Sequence, residues 1–149
     1  MGILRIPFQP HPNAERRKDS AVILIKVLLA NREDGILPEH IRELIDTLLW
    51  KLSEADGKYN TRYKTNGVLA CTDRSQLRHE HVYQKSKMIE ALLNAEQDDV
   101  DNILSDAIGC TVTIDEHARL NKYDGEYGWE RYRKAGLEVF DTATNERKV

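Results

Sequence analysis

The sequence has few of the residues that define fibrous, disulfide-rich or membrane-spanning proteins. Among 149 residues there are two cysteines, eight glycines and four prolines, which excludes collagen-like and disulfide-framework classes. Cys71 and Cys110 form no CxxC pair, so both are expected to be reduced core residues. The longest apolar run, residues 21–30, contains Lys26 and is far shorter than the ~20 residues that span a bilayer. We therefore expect no membrane segment.

Two further absences narrow the expected location and chemistry. The first eight residues contain no recognisable secretory signal, so a cytoplasmic location is expected. The chain also has no glycine-rich phosphate loop, and no serine or cysteine in a convincing histidine-acid context. P-loop nucleotide hydrolysis and acyl transfer are therefore disfavoured. The length suits one domain over residues 1–149, because single domains most often have about 100–150 residues.

Charge is unevenly distributed along the chain, although the net charge is only -3. Residues 58–87 contain seven Lys and Arg against two Asp and Glu, whereas residues 88–130 contain two against eleven. Tyrosines are interspersed with the basic residues, a composition suited to phosphate contact and base stacking. The candidate nucleic-acid contacts are Lys58, Arg62, Arg74 and Arg78. The alternative is a solvated segment that pairs with the acidic helices after it.

The N-terminal part of the chain predicts a helical hairpin over about residues 14–55. Asn13 can cap a first helix that ends near residue 31, in which apolar residues at helical spacing predict the most buried helix. Pro38 suits the first turn of a second helix, which is predicted to end near residue 55. The apolar stripe of this second helix comprises Ile41, Leu44, Ile45, Leu48, Leu49 and Leu52.

The remaining chain predicts short helices and strands. Residues 57–76 read as a loop with at most one strand, around Val68–Cys71. Residues 77–84 alternate polar and apolar side chains, which predicts a short strand or the approach to a helix capped by Ser86. A further helix is expected over about residues 98–107, a strand over 110–114, and a helix capped by Asp115 that ends near residue 121. A last helix and strand occupy about residues 129–141. The predicted fold class is helix-rich α+β, with two or three short strands.

Histidines in two distant stretches are the strongest indication of chemistry. His79, Glu80 and His81 are consecutive, and His117 lies at the start of the helix after the predicted strand 110–114. If residues 77–84 are extended, His79 and His81 share one face and Glu80 lies on the other. On the later helix His117 and Asn121 are four residues apart, so both lie on one face. Imidazoles bind transition metals and accept protons near neutral pH.

The segments 78–82 and 110–122 together resemble the ββα-metal finger of the HNH nucleases, and especially the colicin DNase type. The resemblance implies phosphodiester hydrolysis with His81 as general base. It also implies one divalent ion (Mg, Mn, Ni or Zn) held by His79 or Glu80 and by His117, with Asn121 at the position of a further ligand. Gln84 stands where many members have proline, and residues 85–109 form a long insertion between the two strands.

Two functions follow as hypotheses from these residues. The first is a metal-dependent nuclease, or a nuclease-like domain, that binds DNA or RNA through the four basic residues. The second is a non-catalytic interaction or regulatory module that binds a protein or nucleic acid through its acidic helices or its basic segment. The first requires His79 or His81 to lie in one pocket with His117.

Overall fold

A long helical hairpin precedes a small mixed sheet in this α+β fold, which confirms the predicted fold class. The computed structural model describes residues 8–149; residues 1–7, where no secretory signal is recognised, lie outside that range. In the described residues the helices are α1 (Ala14–Ala30), α2 (Pro38–Ser53), α3 (Asn66–Leu69), α4 (Lys85–Leu93), α5 (Val100–Leu104), α6 (Ile114–Asn121) and α7 (Trp129–Lys134). The strands are β1 (Tyr63–Thr65), β2 (Leu77–His81), β3 (Gly109–Thr113), β4 (Val139–Asp141) and β5 (Glu146–Arg147). The sheet thus has five strands rather than two or three.

The hairpin of α1 and α2 packs with α4 and α5 around one apolar cluster. Pro38 occupies the first turn of α2, where the missing N–H of proline costs no helical hydrogen bond. The buried residues of this cluster are Ala21, Ile25, Leu29, Ile41, Ile45, Leu49, Leu52, Met88, Ile89, Leu92, Val100 and Leu104. The prediction that α1 is the most buried helix is wrong in one respect. Ile23, Leu24 and Val27 of α1 are exposed, because the helix contacts its neighbours along a single stripe.

The sheet has the strand order β2-β3-β1-β4-β5. Strands β1 and β3 are parallel, and the other neighbouring pairs are antiparallel. The apolar run Val68–Cys71 is not a strand, because the Thr65 hydroxyl accepts a hydrogen bond from the Val68 amide and so begins α3. The strand of this region is β1, directly before that cap.

Strands β2 and β3 and helix α6 form a ββα unit, with α4 and α5 between the two strands. Helix α6 begins two residues earlier than predicted, because Thr113 and Glu116 form a reciprocal capping box that leaves no capping role for Asp115. Gln84, not Ser86, precedes α4. In the β2–β3 register Glu80 is opposite Cys110, and His79 is opposite Thr111.

A second apolar cluster lies between the sheet, α6 and α7. It contains Val82, Cys110, Val112, Leu120, Tyr132, Ala135, Leu137 and Val139. Cys110 is fully buried, as predicted, whereas Cys71 is half-buried. Within residues 8–149 we find no helix with the length and apolar character needed to cross a membrane.

Candidate functional site

The alternation of side chains along β2 divides the predicted site between two faces of the sheet. The rings of His79 and His81 contact α2, whereas the Glu80 carboxylate contacts His117 of α6. Consecutive residues of a strand point to opposite faces, so His79 and His81 are separated from His117 by the strand itself. The expectation that these imidazoles share a pocket is wrong. The segments that contain residues 79–81 and His117 do contact each other, through the hydrogen bond between Glu80 and His117.

His79 and His81 are packed against the last turn of α2. The Nε2 atoms of both rings lie near the Ser53 hydroxyl, at 3.0 Å for His79 and 3.4 Å for His81. Since that hydroxyl donates to the Trp50 carbonyl, each imidazole donates its Nε2 proton to Ser53. The Trp50 ring covers both histidines, with centroid distances of 5.1 Å to His79 and 4.5 Å to His81. These contacts give both rings a packing role.

Burial makes both imidazoles poor bases. It lowers the pKa of His79 to about 4, with a further contribution from the positive charge of Lys85. Burial, together with His79 and Lys85, lowers the pKa of His81 to about 3. Efficient general bases have pKa values near the operating pH. His81 therefore lacks both the solvent access and the basicity that the general-base assignment requires.

Gly109 allows the His79 ring to approach the sheet. A Cβ atom at Gly109 would lie 2.3 Å from His79 Cε1 and 2.8 Å from Nε2, and the ring is held by Trp50 and Ser53. Gly109→Ala should therefore lower the free energy of unfolding by about 1–3 kcal/mol through overpacking, measured by urea denaturation. Gly125→Ala is the control, because no atom lies within 4 Å of its added Cβ. Equal stabilities of the two variants would contradict the packing described for His79.

On the other face of β2, the Glu80 carboxylate is shared by two positively polarised side chains. His117 Nδ1 donates to Oε1, and Arg131 Nη2 donates to Oε2 at 3.1 Å. The same Nη2 donates to the His81 carbonyl at 3.1 Å, and Nη1 lies 3.3 Å from the Asp124 carboxylate. The side chains of Arg131 and Glu80 are only 3% and 9% exposed. Arg131 therefore neutralises a buried carboxylate.

His117 forms the solvent-facing part of this cluster. Its side chain is 42% exposed, and the Asn121 amide lies 3.4 Å from Nε2, as the spacing of four residues on α6 predicts. Because Nδ1 faces a carboxylate, Nδ1 carries the ring proton, and Nε2 accepts from the Asn121 amide. The arrangement of carboxylate, imidazole and amide orients His117 firmly.

The residues that the resemblance assigns to a divalent ion do not fit one in this arrangement. At His117 only Nε2 is unprotonated, as a metal ligand must be, and it faces Asn121 rather than Glu80, whose two oxygens are both engaged. Among residues 8–149 no group of three or more His, Cys, Asp or Glu side chains is placed to hold a metal ion. The guanidinium of Arg131 provides the positive charge beside Glu80.

The four basic residues predicted to contact nucleic acid differ in whether their charge is already paired within the protein. Arg62 forms a two-point ion pair with Asp141, at 2.7 and 2.6 Å, and this hydrogen bonding lowers the pKa of Asp141 to about 2. Arg62 therefore ties the start of β1 to β4. Arg78 is exposed on the edge strand and donates to the carbonyls of Ser75 and Leu77.

Lys58 and Arg74 are held beside one aromatic ring. The Lys58 ammonium and the Arg74 guanidinium each lie 5.1 Å from the Tyr59 ring centroid, and Arg74 also donates to the Lys58 carbonyl. Tyr59 has a φ of 62°, a left-handed conformation that is rare for a bulky residue and costs about 1–3 kcal/mol. Tyr59 thus has a strained backbone conformation at the position where its ring contacts two cations.

Sequence reasoning missed Arg131 as part of the Glu80 cluster, and it noted Tyr59 only as one of the tyrosines interspersed with the basic residues. Arg131 precedes Ala135 by one helical turn, and Ala135 is buried. That spacing is the signal that Arg131 faces inward. Tyr59 follows Gly57 and Lys58 in a turn, and nothing in the sequence marks its backbone conformation.

No family model matches the chain, and no curated protein or solved structure is significantly similar to it.

Proposed function

We propose that this protein is a nuclease-like module that binds nucleic acid and does not hydrolyse it. The observation that carries the proposal is the occupation of both Glu80 oxygens by His117 and Arg131. In the HNH nucleases that segments 78–82 and 110–122 resemble, a divalent ion lies between strand and helix ligands and activates the scissile phosphate. Here a fixed guanidinium lies beside the strand carboxylate, so the cluster stabilises the ββα unit.

The charge pairing favours the basic segment as the contact surface. Several carboxylates of the acidic stretch pair with cations outside residues 58–87: Glu90 with Arg42, Asp101 with Lys26, Glu126 with Lys134, and Glu130 with Arg133. In the described part of the chain Lys58, Arg74 and Arg78 have no carboxylate partner. The alternative that the basic segment pairs with the acidic helices therefore gains no support, and these three cations remain available to phosphates.

Phosphate recognition suits this arrangement better than recognition of a protein. Lysine and arginine fixed on a tyrosine ring lose less conformational freedom on binding than mobile side chains do. Arg78 is exposed on β2, and its guanidinium contacts the carbonyl of Ser75, the residue after Arg74, so Arg78 lies near the Lys58–Arg74 pair. Contacts of this kind bind the backbone of nucleic acid with little dependence on sequence.

Charge reversal of Lys58 and Arg74 tests the binding surface. In fluorescence anisotropy with labelled duplex and single-stranded DNA and RNA, the variant Lys58→Glu/Arg74→Glu should bind at least about 10-fold more weakly. Its plot of log K against log salt should be less steep by about 2, one for each lost phosphate contact. Lys122→Glu/Arg133→Glu makes the same change in charge at the C-terminal end of α6 and on α7, and should bind like wild type.

Cleavage assays separate this proposal from the metal-dependent nuclease. Wild-type protein incubated with DNA or RNA and Mg²⁺, Mn²⁺, Ni²⁺ or Zn²⁺ should leave the nucleic acid intact. Cleavage that disappears in both His117→Ala and Glu80→Gln would instead establish a nuclease built on the α6 face. Equal weakening of binding by both charge reversals would overturn the assigned surface.

A further inference from the structure

The outer face of α1 carries an apolar patch that the rest of the described chain leaves uncovered. Ile23 is 61% exposed, Leu24 49% and Val27 52%. Single exposed apolar residues are ordinary on soluble proteins, whereas adjacent ones mark interaction sites. Val27 is four residues after Ile23 and three after Leu24, and residues at these spacings lie on one side of a helix. The three side chains therefore form one continuous surface.

A groove continues this surface onto α2. The groove has a volume of about 670 Å³ and runs between the two helices, with Arg16, Ser20, Leu24, Leu48 and Lys51 among its lining residues. Leu24 thus connects the patch on α1 to the groove. Its walls are apolar in the middle and charged at the N-terminal end of α1.

The two ends of the α1 surface have opposite charge. Arg16 lies in the first turn of α1, and Glu33 and Asp34 follow its last turn. Arg16 and Asp34 are exposed and have no ion-pair partner within residues 8–149. Spacings of four and three alternate along α1 through Arg16, Ser20, Ile23, Val27 and Ala30, and Asp34 lies in the turn that directly follows the helix. Such alternation is typical of helices that pair side by side.

We propose that this surface binds a second copy of the chain, with the two α1 helices antiparallel about a twofold axis. Positions whose numbers sum to 50 then face each other, so Ile23 packs on the partner's Val27 and Arg16 meets the partner's Asp34. Each contact occurs twice, as a twofold interface requires. A parallel arrangement would instead place like charges together at both ends. The opposite charges of Arg16 and Asp34 therefore favour a second copy of the chain as the partner, in the antiparallel direction. This inference is independent of the proposed function.

Sedimentation velocity between about 1 and 100 µM tests this interface. Wild-type protein should sediment as a dimer of twice 17.2 kDa at the upper concentrations, and Val27→Asp should be a monomer throughout. Tyr123→Asp places the same charge at an exposed aromatic residue remote from α1 and should remain dimeric. Far-UV circular dichroism checks that both variants are folded.

Exchange of the end charges tests the direction of pairing. Arg16→Asp and Asp34→Arg should each weaken dimerisation about 10-fold, because each places like charges at both ends. The double variant restores opposite charges and should recover wild-type dimerisation to within about 3-fold. A wild-type monomer at all concentrations, including one whose patch is covered by its own residues 1–7, overturns the proposal. So does a dimer that Val27→Asp leaves intact, or a double variant no better than the single ones.

Discussion

Arg131→Met should lower the free energy of unfolding by about 3–5 kcal/mol, the cost of leaving a buried carboxylate without its partner. Arg131 Nη2 lies 3.1 Å from Glu80 Oε2, and both side chains are almost fully buried. Methionine keeps an unbranched apolar stem but removes the charge and the hydrogen bonds to Glu80 and to the His81 carbonyl. Urea denaturation followed by tryptophan fluorescence measures the loss.

Arg133→Met is the matched control on the same helix. The Arg133 side chain is 61% exposed and pairs with Glu130 one turn away, so its removal should change stability by less than about 1 kcal/mol. Adding Glu80→Gln to Arg131→Met removes the unpaired charge of the buried carboxylate. The free energy of unfolding should then recover by at least about 1 kcal/mol. If Arg131→Met and Arg133→Met are equally stable, Arg131 does not neutralise Glu80.

Stability should fall by about 3 kcal/mol or more as the pH is lowered from 6.5 to 4, because His79 and His81 are buried as neutral rings. In the unfolded chain both take up a proton near pH 6.5, whereas in the folded protein the pKa values are about 4 and 3. The unfolded state therefore binds more protons over this range, and each pKa unit corresponds to about 1.4 kcal/mol. This contribution to stability is complete above pH 6.5 and is lost as the pH falls.

Urea denaturation at a series of pH values measures this slope. In His79→Gln/His81→Gln the slope between pH 6.5 and 4.5 should be markedly reduced, whatever the absolute stability of the variant. His40→Gln removes an exposed histidine from α2 and should retain the wild-type slope. An unchanged slope in the double variant would mean that the two rings are not held neutral by α2.

The helices other than α3 could be predicted from the sequence because local signals define them. Apolar spacing and Pro38 place α2, and β-branched residues place β3. The capping box of α6 was also present as Thr113 followed three residues later by Glu116, although Asp115 was favoured as the cap. These features depend on neighbours within a few residues.

The site was less predictable because it depends on which elements pack on each face of β2. Alternation along the strand correctly separates Glu80 from His79 and His81, but it does not reveal that α2 covers the histidines and α6 meets Glu80. Nor does it show that Arg131, 51 residues after Glu80, completes the cluster. Long-range contacts of this kind are fixed by packing of the whole chain, so the histidine pattern alone suggested a shared pocket.

The central claim is that the protein binds nucleic acid without a divalent ion and leaves it intact. The most direct measurement is the anisotropy of an end-labelled duplex of about 20 base pairs, titrated with wild-type protein first in EDTA and then in Mn²⁺, with the label analysed by gel afterwards. The account predicts saturable, salt-dependent binding with the same affinity in both buffers and an intact strand. Binding only in Mn²⁺, strand cleavage, or no binding in either buffer would contradict it.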